Sequence, residues 1–150
     1  MMKTLFERGT YEEILRRVDS IQPGSQRQWG KMTPGQMLEH NARALAMAAG
    51  GKPHQQALLG KMIGWMFKGQ FTGEKPFGRN GPTGPDFVVR DEPDFTSTKE
   101  KVKRLVSELH QLGEKGCDGN THGFFGKLTG AEWGVTQYKH LDHHLRQFGA

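Results

Sequence analysis

Apolar residues recur at helical spacing in four stretches of the chain, which Gly and Pro residues separate. Residues 10–22, 33–49, 96–115 and 129–148 are therefore predicted to be helices. Three of them open on a capping box, in which a threonine and an acid or amide three residues later bind the free N–H groups of the first turn. The boxes pair Thr10 with Glu13, Thr33 with Gln36, and Thr129 with Glu132. The pattern predicts an all-α fold.

The connection between the second and third of these helices is long and contains another apolar segment. Residues 55–67 are predicted to form a short helix that is apolar on almost every side, either buried, facing a second copy, or forming a flexible Met-rich wall of a pocket. Residues 69–94 hold too many Gly and Pro for regular structure, with room for a short extended piece at residues 87–89. Because so long a loop is usually functional or disordered, we expect it and the turn at residues 122–125 to border a pocket.

Composition sets the class of protein. With 150 residues, 34% of them hydrophobic and 25% charged, the chain fits one globular domain spanning residues 1–150. The net charge of +5 is spread along the sequence without a recognition motif, so we expect no nucleic-acid partner. Cys117 is the single cysteine and excludes an internal disulfide. No stretch has signal-peptide or membrane-span character, which predicts a cytoplasmic protein that does not act at a membrane.

Histidines stand at the borders of two apolar stripes. On the last helix His140 and His144 lie together at the stripe's edge, while His143 falls toward solvent. Two imidazoles at i and i+4 can reach one metal ion, but they need a third ligand. His40, at the equivalent border of the second helix, is the candidate. A single histidine at such a border would usually be a hydrogen-bonded core residue. For three of them, two interpretations stay open: hydrogen-bonded core residues or the ligands of a metal site.

The remaining histidines make weaker candidates. His122 lies in the Gly-rich connection before the last helix, where a histidine is more often a surface or hydrogen-bonding residue than a ligand. Beside a metal it would act as a catalytic proton-transfer group or hydrogen-bond donor. His54 and His110 have lesser claims. No glutamate stands in an HExxH arrangement, which disfavours a zincin-type protease.

Two segments carry a family resemblance. WGKMTPGQMLEHNARAL, with His40, and TGAEWGVTQYKHLDHHLRQFG, with the H-x3-H pair, resemble the DinB-like (YfiT-like) superfamily. They are most similar to a bacterial branch of uncharacterised function in which an HxxFGxLTxxEW segment precedes the last helix. The resemblance covers nearly the whole chain. It implies a four-helix bundle with a long crossover, to which this chain adds a short helix, and a divalent metal, commonly nickel or zinc, on His40, His140 and His144.

The resemblance also implies a kind of chemistry. Related families include thiol-dependent transferases and isomerases, so the expected function is a metal-dependent enzyme that activates a thiol or water. Its partners would be a small-molecule substrate and, for thiol chemistry, a low-molecular-weight thiol. The alternative is a non-catalytic, metal-stabilised bundle acting as a stress or interaction protein. The insertion at residues 51–94 departs from the family pattern, so the substrate does not follow. Its exposed apolar residues 58–67 predict a homodimer.

Overall fold

The computed structural model describes residues 1–50 and 56–150. The predicted all-α fold is confirmed. In the described part the helices are α1 (Arg8–Ser20), α2 (Pro34–Ala48), α3 (Leu58–Thr72), α4 (Phe95–Cys117) and α5 (Gly130–Gln147), with a 3-10 turn at Pro85–Phe87. A two-residue hairpin, β1 (Thr121–His122) and β2 (Gly126–Lys127), precedes α5 and pairs antiparallel. His54, named above as a weak candidate, lies outside the described residues.

Four helices, α1, α2, α4 and α5, pack around one hydrophobic core. Helix α4 contacts the other three, and α5 also packs on α1 and α2. The predicted stripes supply the core, because residues three and four apart share one face of a helix. Fully buried members include Ile14, Val18, Leu38, Leu45, Val102, Val106, Leu109, Trp133, Leu141 and Leu145. The bundle thus brings α2 and α5, the two helices with candidate ligands, into contact.

Two of the three predicted capping boxes are present. Thr33 and Gln36 cap α2, and Thr129 and Glu132 cap α5, each pair with both reciprocal hydrogen bonds. The box predicted at Thr10 is wrong. Helix α1 begins at Arg8, one turn earlier than that box requires, and Thr10 is buried inside it. Glu13, the other half of the box, instead forms ion pairs with Lys3 and Arg17.

The crossover is the connection between α2 and α4, and its last part, residues 85–92, lies against α2 just before α4 begins. The guanidinium of Arg43 donates to the carbonyl oxygens of Asp86 and Val88 at 3.0 and 3.3 Å. The Thr33 hydroxyl adds a hydrogen bond of 2.7 Å to Glu92. Of the short extended piece predicted at residues 87–89, Phe87 instead ends the 3-10 turn, while Val88 has extended backbone. The crossover is therefore held against the helix that carries His40.

Helix α3 is longer than predicted and ends at Thr72 rather than near residue 67. The ammonium group of Lys139 on α5 donates to the carbonyls of Gln70, Phe71 and Gly73, at 3.4, 2.8 and 2.6 Å. These groups lie at the helix end, where carbonyls lack partners within the helix and a positive charge is favourable. Lys139 thus extends α3 and ties it to α5.

The large apolar side chains of α3 face outward. Gly60 and Gly64 form its buried face, and a Cβ atom at either position would collide with the carbonyl oxygen of Phe124. Since glycines take the inner face, six large residues are exposed: Leu58, Leu59, Met62, Trp65, Met66 and Phe67. The interpretation of this segment as buried is therefore wrong. Among the described helices, none combines the length and apolarity needed to cross a bilayer.

We expect two copies to associate through this face of α3. Its six side chains expose roughly 700 Å² of mostly apolar area, close to the ~800 Å² per partner of a standard interface. Trp65, which is 73% exposed, would be central to the contact. Trp65→Lys should therefore convert the dimer to a monomer in light scattering at micromolar concentration. Leu112→Lys, at an exposed apolar position on α4, is the control and should remain dimeric. A monomeric parent protein would contradict this expectation.

Candidate metal centre

The structure brings His40, His140 and His144 together between α2 and α5. The Nε2 atoms of His40 and His140 are 2.9 Å apart. Each of these three rings lies 4.7 to 4.8 Å from the other two, measured between centroids. One nitrogen from each ring lies within 4.8 Å of the others, so that the group could hold a metal ion. Nitrogens bound to one ion at ~2.1 Å are at most about 4.2 Å apart, so small side-chain rotations would close the site.

Hydrogen bonds orient two of the three rings. Nδ1 of His40 donates to the carbonyl oxygen of Phe87 at 2.9 Å, since that oxygen can only accept. Nδ1 of His144 lies 2.9 Å from Oε1 of Gln147, whose amide nitrogen donates to the Trp29 carbonyl at 2.9 Å. The hydrogen bond to Trp29 fixes the orientation of the Gln147 amide, so that the amide oxygen faces His144. Nδ1 of His144 must then donate to that oxygen. Both rings thus carry the proton on Nδ1 and leave the Nε2 lone pair available for a metal.

Sequence reasoning found neither of these partners. Gln147 stands three residues after His144 on the same helix, a spacing that places the two side chains on one face and could have predicted the contact. Phe87 supplies only a backbone carbonyl from the irregular crossover. No residue type marks such a group, so the sequence carries no signal for it.

Replacing Gln147 by Leu should weaken metal binding by roughly 10- to 100-fold, the usual effect of losing a group that orients a ligand. Without its acceptor, the His144 ring can rotate or place its proton on Nε2. Gln147→Glu keeps an acceptor for His144 and should weaken binding less. Competition with a chromophoric chelator measures both affinities. Equal affinity in Gln147→Leu and the parent protein would show that the amide does not position the ring.

Burial keeps the three imidazoles neutral. Desolvation, opposed by the hydrogen bond to Phe87, lowers the pKa of His40. The pKa of His144 falls to about 3, chiefly through desolvation and then through the nearby His40. The pKa of His140 lies well below its usual value, again through desolvation first and the neighbouring His144 second. Metal ligation requires deprotonated imidazoles, so the cluster is in its binding form at neutral pH.

His143 does not point to solvent as predicted. It is buried, with its ring 5.4 Å from Trp29, 6.3 Å from Phe77 and 5.0 Å from His144, measured between centroids. Helical geometry does turn it away from the cluster of three, to which it contributes no ligand. The prediction failed because two non-helical segments, one holding Trp29 and the other Phe77, cover that side of α5.

His122 lies in β1, and its ring packs 5.7 Å from that of Trp133. Its Nδ1 accepts the backbone N–H groups of Phe124 and Phe125 at 3.0 and 3.2 Å. That nitrogen is therefore unprotonated. His122 is absent from the cluster of three. Its catalytic role stays a prediction.

Aromatic residues of the crossover border the cluster. The ring of Phe77 lies 6.5 Å from His140, and that of Phe87 lies 6.3 Å from His40. Phe71, at the end of α3, joins Phe77 to His122 through ring contacts of 4.9 and 5.1 Å. His110 lies outside this group of aromatic contacts. Its ring stacks on Tyr11, and its Nδ1 lies 3.1 Å from the carbonyl oxygen of Leu5. It behaves as a hydrogen-bonded structural histidine.

Fold and site together define an all-α bundle with a three-histidine cluster that could hold a divalent cation. The chain belongs to the DUF1569 family, described as "Protein of unknown function", whose profile matches residues 6–150. No curated protein matches the chain, and no solved structure does.

Proposed function

We propose that this protein is a divalent-metal-dependent enzyme of the DinB-like superfamily, with nickel or zinc on His40, His140 and His144. One observation carries the proposal. Three neutral imidazoles from two helices converge, and the hydrogen bonds at Nδ1 of His40 and His144 direct their Nε2 lone pairs to a common point. Because His40 carries its proton on Nδ1, its Nε2 accepts a hydrogen bond of 2.9 Å from Nε2 of His140 in the metal-free protein, and a metal ion would take the place of that shared proton.

The proposed chemistry is activation of a thiol or of water. A divalent ion held by His40, His140 and His144 would supply Lewis-acid chemistry that lowers the pKa of a thiol or of water. The protein's own part is to hold the imidazoles neutral and oriented. The rings of Phe77 and Phe87 give the cluster an apolar border, 6.5 Å from His140 and 6.3 Å from His40. Thiol transfer or isomerisation and hydrolysis are the two reaction classes that this site supports.

His122 is the proposed proton-transfer group. Its unprotonated Nδ1 is occupied by two backbone N–H groups, so the mobile proton of the neutral ring is carried on Nε2. His122→Gln should therefore leave metal content unchanged and lower kcat by roughly 100-fold or more, within the usual contribution of acid–base catalysis. Metal analysis and turnover measured on the same preparation check this. Unchanged kcat would remove the role, and loss of metal would make His122 a ligand instead.

The function as a whole is tested by assaying metal-loaded protein against a thiol-conjugation panel and an ester and amide hydrolysis panel. His144→Gln, which removes one ligand with little change in volume, is the matched control. Turnover in the parent protein that disappears in His144→Gln supports the enzyme. Stoichiometric metal with no turnover in either panel would favour the non-catalytic, metal-stabilised bundle.

A further inference from the structure

A cavity of about 510 Å³ opens on the side of α5 next to the cluster. Its wall includes Trp29, Phe77, Arg79, His143 and Arg146. Three of these are aromatic or imidazole rings and two are guanidinium groups. Such a volume is typical of small-molecule sites, in which apolar walls carry a few polar groups that fix the ligand's orientation.

The charged side chains of this wall are both positive. The Arg79 guanidinium lies over the Trp29 ring, with its carbon 4.3 Å from the ring centroid, and forms no ion pair with a described residue. Arg146 is paired with Asp142 at 2.8 Å. The last residue, Ala150, also lines the cavity, and its carbonyl oxygen accepts from Arg17 at 3.1 Å. Arg79 is thus the cation available to a ligand, and its guanidinium lies over an aromatic ring.

The cavity adjoins the cluster without including it. His143 lines the cavity on one side and contacts His144 on the other. Phe77 likewise contacts His143 and His140, at 6.3 and 6.5 Å between centroids. A molecule in the cavity would therefore lie one ring away from the proposed metal ligands. The function described above uses the backbone carbonyl of Trp29, but neither its ring, nor Arg79, nor this space.

We propose that this cavity binds the carboxylate end of a small substrate with a planar apolar body. The guanidinium of Arg79 pairs with the carboxylate, since its fork matches the two oxygens. The rings of Trp29 and Phe77 cover the apolar part. Only the further step, in which the other end of the substrate reaches the metal, rests on the proposed function. The cavity and its cation are features of the described chain by themselves.

The probes for the experiment are benzoate and benzamide, which share size and shape and differ in charge. Ligand-observed NMR titration should show that the parent protein binds benzoate at least 10-fold more tightly, because hydrogen bonds to a charged group are stronger than neutral ones. Arg79→Gln should abolish this preference. Arg104→Gln, which makes the same charge change on the exposed surface of α4, should retain it. Equal binding of both probes to the parent, or an undiminished preference in Arg79→Gln, would overturn the proposal.

The His40→Ala variant separates this proposal from the metal site. It removes a proposed ligand and no residue of the cavity wall, so benzoate should still bind and Arg79 should still determine the preference. If benzoate instead required His40 and not Arg79, the carboxylate would be binding at the metal, and the cavity would not be the subsite. A parent protein that binds no metal but prefers benzoate through Arg79 would refute the proposed function and leave the cavity assignment standing.

Discussion

Replacing His40, His140 or His144 by alanine should abolish stoichiometric binding of a divalent ion. Each change removes one of three nitrogens that lie within 4.8 Å of one another, and two histidines hold such an ion weakly. The change should also remove the rise in melting temperature on metal addition, because an ion that binds only the folded state stabilises it by about 2.7 kcal/mol at 100 times its Kd. Metal analysis of protein purified without a histidine tag, followed by thermal melts with and without metal, measures both effects.

His143→Ala is the matched control, and it should still bind one ion. Its effect on stability differs from that of a surface residue, because His143 is buried against Trp29 and Phe77. We expect it to lower the melting temperature equally with and without metal, so that the stabilisation by metal is unchanged. Stoichiometric metal in His40→Ala would mean that another residue is the third ligand, with His122 the first to test.

The metal-free protein should lose stability steeply as the pH falls from about 6.5 toward 3. In the folded state burial holds the pKa values of four histidines below the usual 6.5, namely His40, His140, His143 and His144, that of His144 at about 3. Between about pH 3 and 6.5 the unfolded chain binds more protons than the folded chain does. The free energy of unfolding therefore rises with pH and levels off above 6.5. One such histidine contributes a slope of up to about 1.4 kcal/mol per pH unit, and four contribute up to about 5.

Denaturant unfolding between pH 5 and 6.5 measures this slope where carboxylates contribute little. His144→Gln removes one of these four titrating groups and should reduce the slope by about a quarter, whatever its own effect on stability. For the same reason the metal-loaded protein should keep its ion below pH 6, because protons compete poorly for imidazoles with lowered pKa values. A slope that is flat or of opposite sign would show that the imidazoles are accessible to water.

The sequence predicted most of the bundle and the cluster. Thr33 and Thr129 capped their helices as expected, because a capping box is a local arrangement of side chain and backbone. His40, His140 and His144 followed from helical geometry, since positions on a helix face are set by spacing alone. The family resemblance supplied the pairing of α2 with α5, which periodicity cannot provide.

What the sequence missed depended on contacts between distant segments. The burial of His143 depends on Trp29 and Phe77, which lie in segments without periodicity. The extra length of α3 depends on Lys139, about 70 residues later in the chain. The outward orientation of Trp65 depends on the close approach of the Phe124 backbone to Gly60 and Gly64, about 60 residues earlier in the chain. In each case the residue that determines the structure is distant in sequence, so the local pattern of residues does not reveal it.

The hydrogen bond from His40 to the Phe87 carbonyl links metal retention to the motion of the crossover. Arg43 and Thr33 fasten that segment to α2, so His40 loses its orienting partner only when the segment detaches. Detachment is a local opening, which is far more frequent than global unfolding. If the proposed ligands hold an ion, its lifetime would depend on how often residues 86–92 open as well as on the strength of the metal–nitrogen bonds. The exchange rate of the metal ion would therefore report on the opening of residues 86–92, which contribute none of the proposed ligands.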